Sequence, residues 1–521
     1  MPRHEITTES ATGLGSKVAQ KQKVKAGKSN IWNPNVCYEI PVTKKQNAKS
    51  KKKKKTKKKS PSISNETTCI STPIPIGLRP PSCSEEFLRM GSSNHLRKQL
   101  TKLRKSHRSL EDREFVKHAV MAVERWWMRY FLHHPVLTCT EDDDPVIPNP
   151  NDDMKIDAGF VKDLVKAGDT EEAARSAVKA FYILCKTAAS AISEKAKSEG
   201  KKNPENVIVV RHKHSCDVML SKNKAKLLKI NPAHYDKLKV MYTRQQKQML
   251  PKKDNREKGD VEVLDDSEFH RRLFCVLARY HSIQGHGFQA ACTEHVFDVL
   301  HGHFGVNLEC FASPLNSRYA LHCSAFPDTD ACFGSLGSFF NFYPTSGSFE
   351  ANPPFEPVVM LAMVQHMELL FSKADGPLSF VVVVPGWKES EAFQLLTASA
   401  FTKKAVPIAQ ADHGFCDGAS HQRRDRYRIS PYDTFFFFLQ NKKAAEKWPV
   451  TDTAISELKA AMANGVPSPS MQARHDKAGR GTDDVARGVY KGKKSKATGD
   501  GVMKRKREEI IQKKKQKRSK A

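Results

Sequence analysis

The sequence predicts an α/β fold in which a doubly wound domain follows a mostly helical domain and basic, disordered tails flank both. Helical and strand patterns alternate from about residue 267 to residue 440, as they do in doubly wound sheets. The uninterrupted run Val381–Val384 is typical of a strand buried on both faces. Lysine-rich runs near both ends cannot bury apolar area, so we expect them to be disordered.

Four regions follow from these patterns along the 521 residues. Residues 1–95 are polar and basic, and we expect them to be disordered. Residues 96–255 form the helical domain, and residues 256–450 form the α/β domain. Residues 451–521 return to low complexity and are predicted to be a disordered basic tail.

The helical domain contains one dense apolar stripe and one β-prone stretch. Residues 114–133 carry a stripe at helical spacing, which we interpret as core rather than as a base-stacking platform. The stripe consists of Phe115, Ala119, Val123, Trp126, Trp127, Tyr130 and Phe131. The runs 207–210 and 217–220 predict a short hairpin, and the basic residues 211–229 beside it are candidates for binding phosphates.

The α/β domain is predicted element by element from its apolar pattern. We expect helices over Ser267–Ser282, Cys292–Phe304, Glu356–Ala374 and Ser390–Phe401, and strands over Val306–Phe311, Val381–Val384, Lys403–Ala409 and Asp433–Gln440. Ligands of doubly wound sheets bind beyond the carboxyl ends of the strands. Asn352 and the run Ala312-Ser313-Pro314-Leu315-Asn316 each follow a predicted strand, so we expect both at that edge.

The turn Asn352-Pro353-Pro354-Phe355 has a composition suited to methylating the exocyclic amine of a nucleobase. That amine is a poor nucleophile, because its lone pair is delocalised into the ring. The Asn352 side-chain oxygen and the Pro353 carbonyl are two acceptors that favour a pyramidal nitrogen, and the prolines fix φ and remove N–H donors. Phe355 offers a flat face for stacking. Asn-Pro-Pro also occurs in ordinary turns, so the tetrapeptide alone leaves both interpretations open.

Two longer runs, Phe304–Pro327 and Phe333–Phe355, resemble the phosphorylated-CTD-interacting-factor family. The pieces ECFASPLN, CSAFPDTD, FGS and GSFEANPPF occur in the family's order and spacing, and the resemblance covers about residues 267–450. It implies a Rossmann-like, S-adenosylmethionine-dependent domain that methylates N6 of the first transcribed adenosine beside a 7-methylguanosine cap. The implied substrate is capped mRNA, with a (2′-O-methyl)adenosine as its first nucleotide.

The resemblance also implies roles for particular residues of this sequence. Asn352, Pro353, Pro354 and Phe355 form the catalytic turn. Ala312, Ser313, Pro314, Leu315 and Asn316 match the loop that holds methionine and ribose, and Asp328 and Asp330 are the acidic candidates for the ribose hydroxyls. Glu356, Trp387 and Lys388 lie near the site and are candidates for binding the substrate, with Trp387 either stacking on a base or packing in the core.

The charge of the chain agrees with a nucleic-acid partner. The formal net charge is +30, with a pI near 9.6. The lysine runs 44–59 and 504–520 predict nuclear localisation, with non-specific RNA contact as a second role. Two alternatives to the cap-specific enzyme stay open here: an N6-adenine methyltransferase acting on other RNA or DNA, and a non-catalytic cap- or RNA-binding scaffold.

Several features are expected to be absent. A WW module would link such a protein to the transcription machinery, but the first hundred residues hold only Trp32, so no WW module is evident. The twelve cysteines contain no CxxC pair, which predicts reduced thiols in an intracellular protein. We expect no metal site at His212, His214 and Cys216, because no second ligand pair has zinc-like spacing. No apolar run is long enough to span a membrane.

Overall fold

The computed structural model describes residues 80–104, 113–133, 144–148, 156–199, 205–221, 228–249, 266–284, 290–422 and 426–468. Both lysine runs and Trp32 lie outside these residues, as do most of the two predicted tails.

The helical region consists of four helices followed by a small sheet and a fifth helix. The helices are α1 (Cys83–Leu103), α2 (Arg113–His133), α3 (Ala158–Lys166), α4 (Glu171–Glu199) and α5 (Pro232–Met249). The predicted hairpin is present as β1 (Val207–Arg211) and β2 (Cys216–Leu220), and β3 (Leu228–Ile230) adds a third antiparallel strand. The described residues of the α2 stripe, Ala119, Val123, Trp126, Trp127 and Tyr130, are buried as expected.

The first helix corrects only the end of the region predicted to be disordered, residues 1–95, because α1 begins at Cys83. Ser82 caps α1 with a capping box, in which its side chain accepts from the backbone of Glu85 and the Glu85 side chain accepts in return. Met90 and Leu96 join the helical core. The composition of this segment is polar because α1 buries charged side chains in ion pairs, which a search for apolar periodicity does not detect.

The second part of the chain forms a four-stranded sheet with helices on both faces. Its strands lie in the order β4 (Gly347–Ala351), β5 (Leu378–Pro385), β9 (Thr434–Gln440) and β6 (Thr402–Ile408). β4 and β5 are parallel, whereas β9 runs antiparallel to both β5 and β6. The predicted strands at Val381–Val384, Lys403–Ala409 and Asp433–Gln440 are therefore confirmed, each with bounds shifted by a few residues.

Short extended segments continue this sheet beyond β4. Single parallel bridges join Glu350 of β4 to Glu309, Glu309 to His322, and His322 to Ser335. The predicted strand Val306–Phe311 is corrected to this extent: it lies beside β4 but pairs through one bridge rather than as a regular strand. Across the sheet, the neighbours are the Ser335 segment, the His322 segment, the Glu309 segment, β4, β5, β9 and β6, in that order. The first three stand in the reverse of their order along the chain, and from β4 to β5 the order follows the chain, so the direction reverses between the Glu309 segment and β4. Such a reversal is the topological switch point at which doubly wound sheets bind ligands.

Alternation along the central strands divides the apolar side chains between two faces of the sheet. In β5, Phe380 and Val382 belong to one core cluster, and Val381 and Val383 belong to another. The first face is covered by α9 (Pro357–Lys373) and α10 (Glu391–Ala398), and the second by α7 (Glu294–Phe304) and α12 (Asp452–Ala463). Four further short elements complete the sheet region: α8 (Pro327–Asp330), β7 (Gly414–Cys416), β8 (Tyr427–Ile429) and α11 (Lys442–Lys447).

The helix α12 corrects only the start of the predicted disordered tail, residues 451–521, because it spans Asp452–Ala463. Thr451 caps this helix, and Ile455, Leu458 and Met462 pack into the cluster that covers the sheet. The helix is short and rich in alanine, so its sequence resembles the low-complexity residues that follow it.

The helix α6 (Asp266–Ile283) joins the two parts of the chain. It was assigned by sequence to the α/β domain, but its apolar residues belong to the helical core cluster. Arg279 of α6 is fully buried and pairs with Glu86 of α1 (2.6 Å) and with Asp328 of α8 (2.7 Å). The boundary drawn between residues 255 and 256 therefore separates elements that share one core.

Candidate active site

One cavity lies at the switch point and is built from both parts of the chain. The ends of the Glu309, His322 and Ser335 segments and of β4 form its floor, and α2 and α6 form its roof. Its lining residues are Glu124, Trp127, Met128, Tyr280, Ile283, Ala290, Cys310, Phe311, Ala312, Ser313, Asn316, Ser324, Ala325, Phe326, Ser338, Phe339, Phe340, Asn352, Pro354 and Val359. Asn352 and the Ala312–Asn316 loop, which are 36 or more positions apart in the sequence, thus face the same space.

The Asn352 turn follows β4 directly. Asn352 is 9% exposed, and its Nδ2 donates to the Ala290 carbonyl at 3.3 Å. This bond orients the amide, and among the described residues no donor contacts its Oδ1 or the Pro353 carbonyl. Asn352 and Pro354 line the cavity, and Pro353 between them is buried. The turn therefore presents two acceptors whose hydrogen-bonding capacity the protein leaves unused.

The Ala312–Asn316 loop is held by its own side chains. Asn316 Oδ1 accepts from the Ser313 backbone (2.7 Å) and from Ser313 Oγ (2.9 Å). Leu315 is buried in the helical core, so it anchors the loop, and Pro314 is also buried. Of the predicted residues, Ala312, Ser313 and Asn316 line the cavity, whereas Pro314 and Leu315 do not.

Two buried polar side chains, Glu309 and Lys237, fasten the residues that follow this loop. Glu309 Oε1 accepts from the backbone N–H groups of Arg318 (2.7 Å) and Tyr319 (3.0 Å), and Lys237 Nζ donates to the Ser317 carbonyl at 2.5 Å. Burial raises the pKa of Glu309 and lowers the pKa of Lys237. The sequence reasoning missed both residues, although Glu309 stands within the ECFASPLN run.

The ribose assignment of Asp328 and Asp330 is corrected, because other side chains occupy both carboxylates. Asp328 makes two hydrogen bonds to Arg279, at 3.0 and 2.7 Å. Asp330 accepts from Tyr280 Oη at 2.6 Å and from Thr329 Oγ1 at 2.8 Å, and burial raises its pKa to about 7. Neither residue lines the cavity.

Glu356 also has a structural role in place of the substrate contact we expected. It is 2% exposed, its Oε2 caps α9 by accepting from Val358 (2.8 Å) and Val359 (3.0 Å), and its Oε1 accepts from Arg129 at 3.1 Å. The substrate prediction for Glu356 is therefore corrected: this carboxylate joins α2 to the start of α9.

Three aromatic side chains form a partly exposed ledge beside the turn, which we call the aromatic ledge: Phe355, Trp387 and Tyr432. Phe355 and Trp387 meet edge to face with ring centroids 6.4 Å apart, and Trp387 meets Tyr432 at 5.3 Å. Tyr432 is 43% exposed, and Lys388 is exposed next to Trp387. None of these four residues lines the cavity. The turn therefore contributes to two surfaces: Asn352 and Pro354 line the cavity, and Phe355 belongs to the aromatic ledge.

Sequence reasoning missed the roof of the cavity and its aromatic floor. The floor includes Phe326, Phe339 and Phe340, which follow the His322 and Ser335 segments, and the roof includes Glu124 and Trp127 of α2. One signal was present: Glu124 lies three residues before Trp127 in an apolar helix, so its carboxylate shares a face with buried side chains.

Two kinds of feature do not occur among the residues that the structure describes. No group of three or more His, Cys, Asp or Glu side chains is arranged to hold a metal ion. No described helix combines the length and the apolar character needed to cross a membrane.

The fold and the cavity define a class of protein, a mixed α/β protein with helices on both faces of its sheet and with a cavity that Asn352 and Pro354 of an Asn-Pro-Pro-Phe turn help to line. Residues 237–418 match the model of a family described as the phosphorylated CTD interacting factor 1 WW domain. The chain is also 36% identical over 258 residues to the Homo sapiens protein named mRNA (2′-O-methyladenosine-N(6)-)-methyltransferase and over 257 residues to the Mus musculus protein of that name. The resemblance inferred from the sequence is thereby confirmed.

These matches cover part of each chain. The alignments span 47% of this chain and 34% of each curated relative, so the chain spans about a third of the length of those proteins. The family description names a WW domain, which corrects our statement that no WW module is evident. The matched residues lie far from Trp32 and hold the elements from α5 to β7, including most of the doubly wound sheet.

Proposed function

We propose that this chain is an S-adenosylmethionine-dependent methyltransferase that methylates N6 of the first transcribed adenosine, or 2′-O-methyladenosine, of 7-methylguanosine-capped mRNA. The single observation that carries the proposal is that Asn352 and the Ala312–Asn316 loop face one cavity at the switch point of the sheet. The names of the relatives support the same reaction.

The chemical groups that line the cavity are suited to S-adenosylmethionine. Aromatic walls at Phe326, Phe339 and Phe340 are suited to a purine base, and Ser313 and Ser324 offer hydroxyl groups. The buried Nε1 of Trp127 has no hydrogen-bond partner among the described residues, so this wall has a donor left for a ligand. S-adenosylmethionine, when bound, supplies an electrophilic methyl group.

The chain's own contribution to the reaction is to orient and polarise the target amine. Asn352 Oδ1 and the Pro353 carbonyl are the acceptors for its two N–H groups. The bond from Nδ2 to Ala290 fixes the amide before the substrate arrives, so little reorganisation is needed during the reaction. Positive charge develops on the amine as it attacks, and two fixed carbonyl dipoles in a largely buried turn stabilise that charge.

The aromatic ledge is the proposed platform for the target base or its neighbour. Replacing Phe355 by Ala should raise KM for RNA and lower kcat, with kcat/KM falling by about tenfold or more, since base stacking contributes roughly 1–3 kcal/mol. Phe355→Tyr keeps a flat ring and should retain most of the activity. Steady-state kinetics on short capped RNAs measure both variants. An equal loss in the two would indicate that Phe355 only packs against Trp387 and Phe415.

Selectivity for the first nucleotide is proposed to come from the cap. A 5′-terminal adenosine enters the site without being flipped out of a duplex. Trp387, Lys388 and the exposed basic residues at the β1–β2 turn are the candidates for contacting the cap and its phosphates. Arg211 and Lys229 at the edge of this patch already pair with Asp236 and Asp217, which leaves Lys213 and His214 more available to an RNA.

Methyl transfer from labelled S-adenosylmethionine to matched RNAs tests the function. The RNAs share one sequence and differ in the first nucleotide and in whether they carry a 7-methylguanosine cap, an unmethylated cap or a 5′-hydroxyl. We expect transfer to RNAs that begin with adenosine, with kcat/KM falling at least about tenfold without the methylated cap, or about 1.4 kcal/mol. The rate should also decrease as salt rises.

Other outcomes of this assay identify the alternatives. Equal rates on capped and 5′-hydroxyl RNA would exclude cap specificity and favour an N6-adenine methyltransferase with internal or DNA targets. No transfer to any RNA or DNA would favour a non-catalytic RNA-binding scaffold.

The lysine runs 44–59 and 504–520 support nuclear localisation, which we propose together with recruitment to the transcription machinery. A fluorescent fusion that lacks both runs should lose its nuclear accumulation, and a fusion that keeps it would refute this role for the runs.

A further inference from the structure

The helix α2 supplies part of the cavity although it lies outside the residues that match the family model. Glu124 lies one helical turn before Trp127 and Met128, and all three line the cavity. Arg129 fastens this helix to the catalytic edge of the sheet by pairing with Glu356 at 3.1 Å. The roof over the site is therefore a fixed part of the fold.

The polar groups of this roof are arranged for a ligand. Trp127 is 1% exposed, and its Nε1 donates to no described residue. The guanidinium of Arg97 in α1 lies 4.5 Å from the centre of the Trp127 ring. Its Nη2 donates to the Ile283 carbonyl at 2.9 Å, while Nε and Nη1 are buried without a described partner. Buried donors that lack acceptors are unfavourable, and a bound acceptor would remove that cost.

The position of the roof relative to the sheet indicates which end of the cofactor it meets. Phe326, Phe339 and Phe340 follow the outer segments of the sheet, so the apolar end of the cavity lies there. Arg129 of α2 pairs with Glu356, the residue that follows Phe355, so α2 lies on the side of the reacting turn. Because the purine fits the aromatic end, the roof lies near the amino-acid end of the ligand.

We propose that Glu124 and Trp127 bind the methionine α-ammonium and α-carboxylate of S-adenosylmethionine, with Arg97 as a positioning residue behind the Trp127 ring. The ammonium offers three donors that a carboxylate accepts, and the ligand carboxylate accepts from the indole N–H. The positive charge of Arg97 interacts with the Glu124 carboxylate and also favours a ligand anion on the same side of the cavity. This inference rests on the proposed function, and it makes the helical region part of the cofactor site.

Calorimetric binding of two ligands tests the assignment. S-adenosylhomocysteine keeps the amino-acid end, and 5′-methylthioadenosine lacks it but keeps the adenosine. The variants are Glu124→Gln and Trp127→Phe, each of which removes one interaction with little change in volume. The matched control is Trp126→Phe on the same helix, where Trp126 stacks on Phe160 and Tyr182 in the core and does not line the cavity.

We expect the Kd for S-adenosylhomocysteine to rise about tenfold in Glu124→Gln and in Trp127→Phe. The Kd for 5′-methylthioadenosine should stay within about twofold of wild type, which also shows that the variants are folded. Trp126→Phe should leave both constants unchanged. Unchanged affinity for S-adenosylhomocysteine, or an equal loss for both ligands, would overturn this inference alone. A wild-type protein that binds neither ligand would overturn the proposed cofactor and this inference with it.

Discussion

Asn352→Ala should abolish methyl transfer while the protein remains folded and still binds cofactor. The substitution removes the side-chain oxygen that accepts from the target amine, and it leaves the Pro353 carbonyl in place. Removing one preorganised polar group of this kind typically lowers kcat by about 10²–10³. Single-turnover methyl transfer to capped RNA measures the loss, and binding of S-adenosylhomocysteine shows that the cofactor cavity is intact.

Two further variants isolate the acceptor role of this side chain. Asn352→Asp keeps an acceptor oxygen but cannot donate to Ala290, so it should retain more activity than Asn352→Ala. Asn464→Ala removes an exposed amide at the end of α12 and should behave as wild type. Activity of Asn352→Ala above about a tenth of wild type, a cost of less than about 1.4 kcal/mol, would contradict the assigned role.

Arg279→Ala should cost about 3–5 kcal/mol of unfolding free energy, because it leaves the buried carboxylates of Glu86 and Asp328 without their shared cation. Such a loss is a large fraction of the roughly 5–15 kcal/mol that stabilises a typical domain. Urea unfolding followed by circular dichroism measures it. The cavity should also change, since Arg279 lies 5.0 Å over the ring of Phe326 in its wall.

The exposed pair of Arg175 and Glu171 on α4 provides the control for this substitution. Their side chains are 52% and 67% exposed, so Arg175→Ala should cost only about 0.3–0.5 kcal/mol. Similar losses in the two variants would show that the Arg279 cluster is not the buried junction that we describe.

The same cluster predicts a pH dependence. Burial alone would raise the pKa of Asp328, but the charge and hydrogen bonds of Arg279 outweigh it and hold that pKa below its usual value. A lowered pKa in the folded state stabilises the protein above the unfolded value of about 3.9, and this stability is lost as the pH falls below it. Arg279→Ala should lack this part of the acid dependence.

The sequence by itself determined those elements whose burial can be inferred from the local order of apolar and polar residues. β5 is buried at every position because both of its faces are covered, and its apolar run Val381–Val384 could be identified without knowing what covers it. α9 and β9 were predicted within a few residues for the same reason. Asn352 and the Ala312–Asn316 loop were placed at one sheet edge because parallel strands end together.

Only the tertiary structure decided which polar side chains face the cavity and which pair with other side chains of the protein. Asp328 is neutralised by Arg279, 49 positions away, and Glu356 by Arg129, 227 positions away. Whether an acidic residue faces a ligand or a buried cation depends on such distant partners, and no local pattern encodes them. The same holds for the roof of the cavity, because Trp126 and Trp127 are adjacent and equally apolar, yet only Trp127 lines the site.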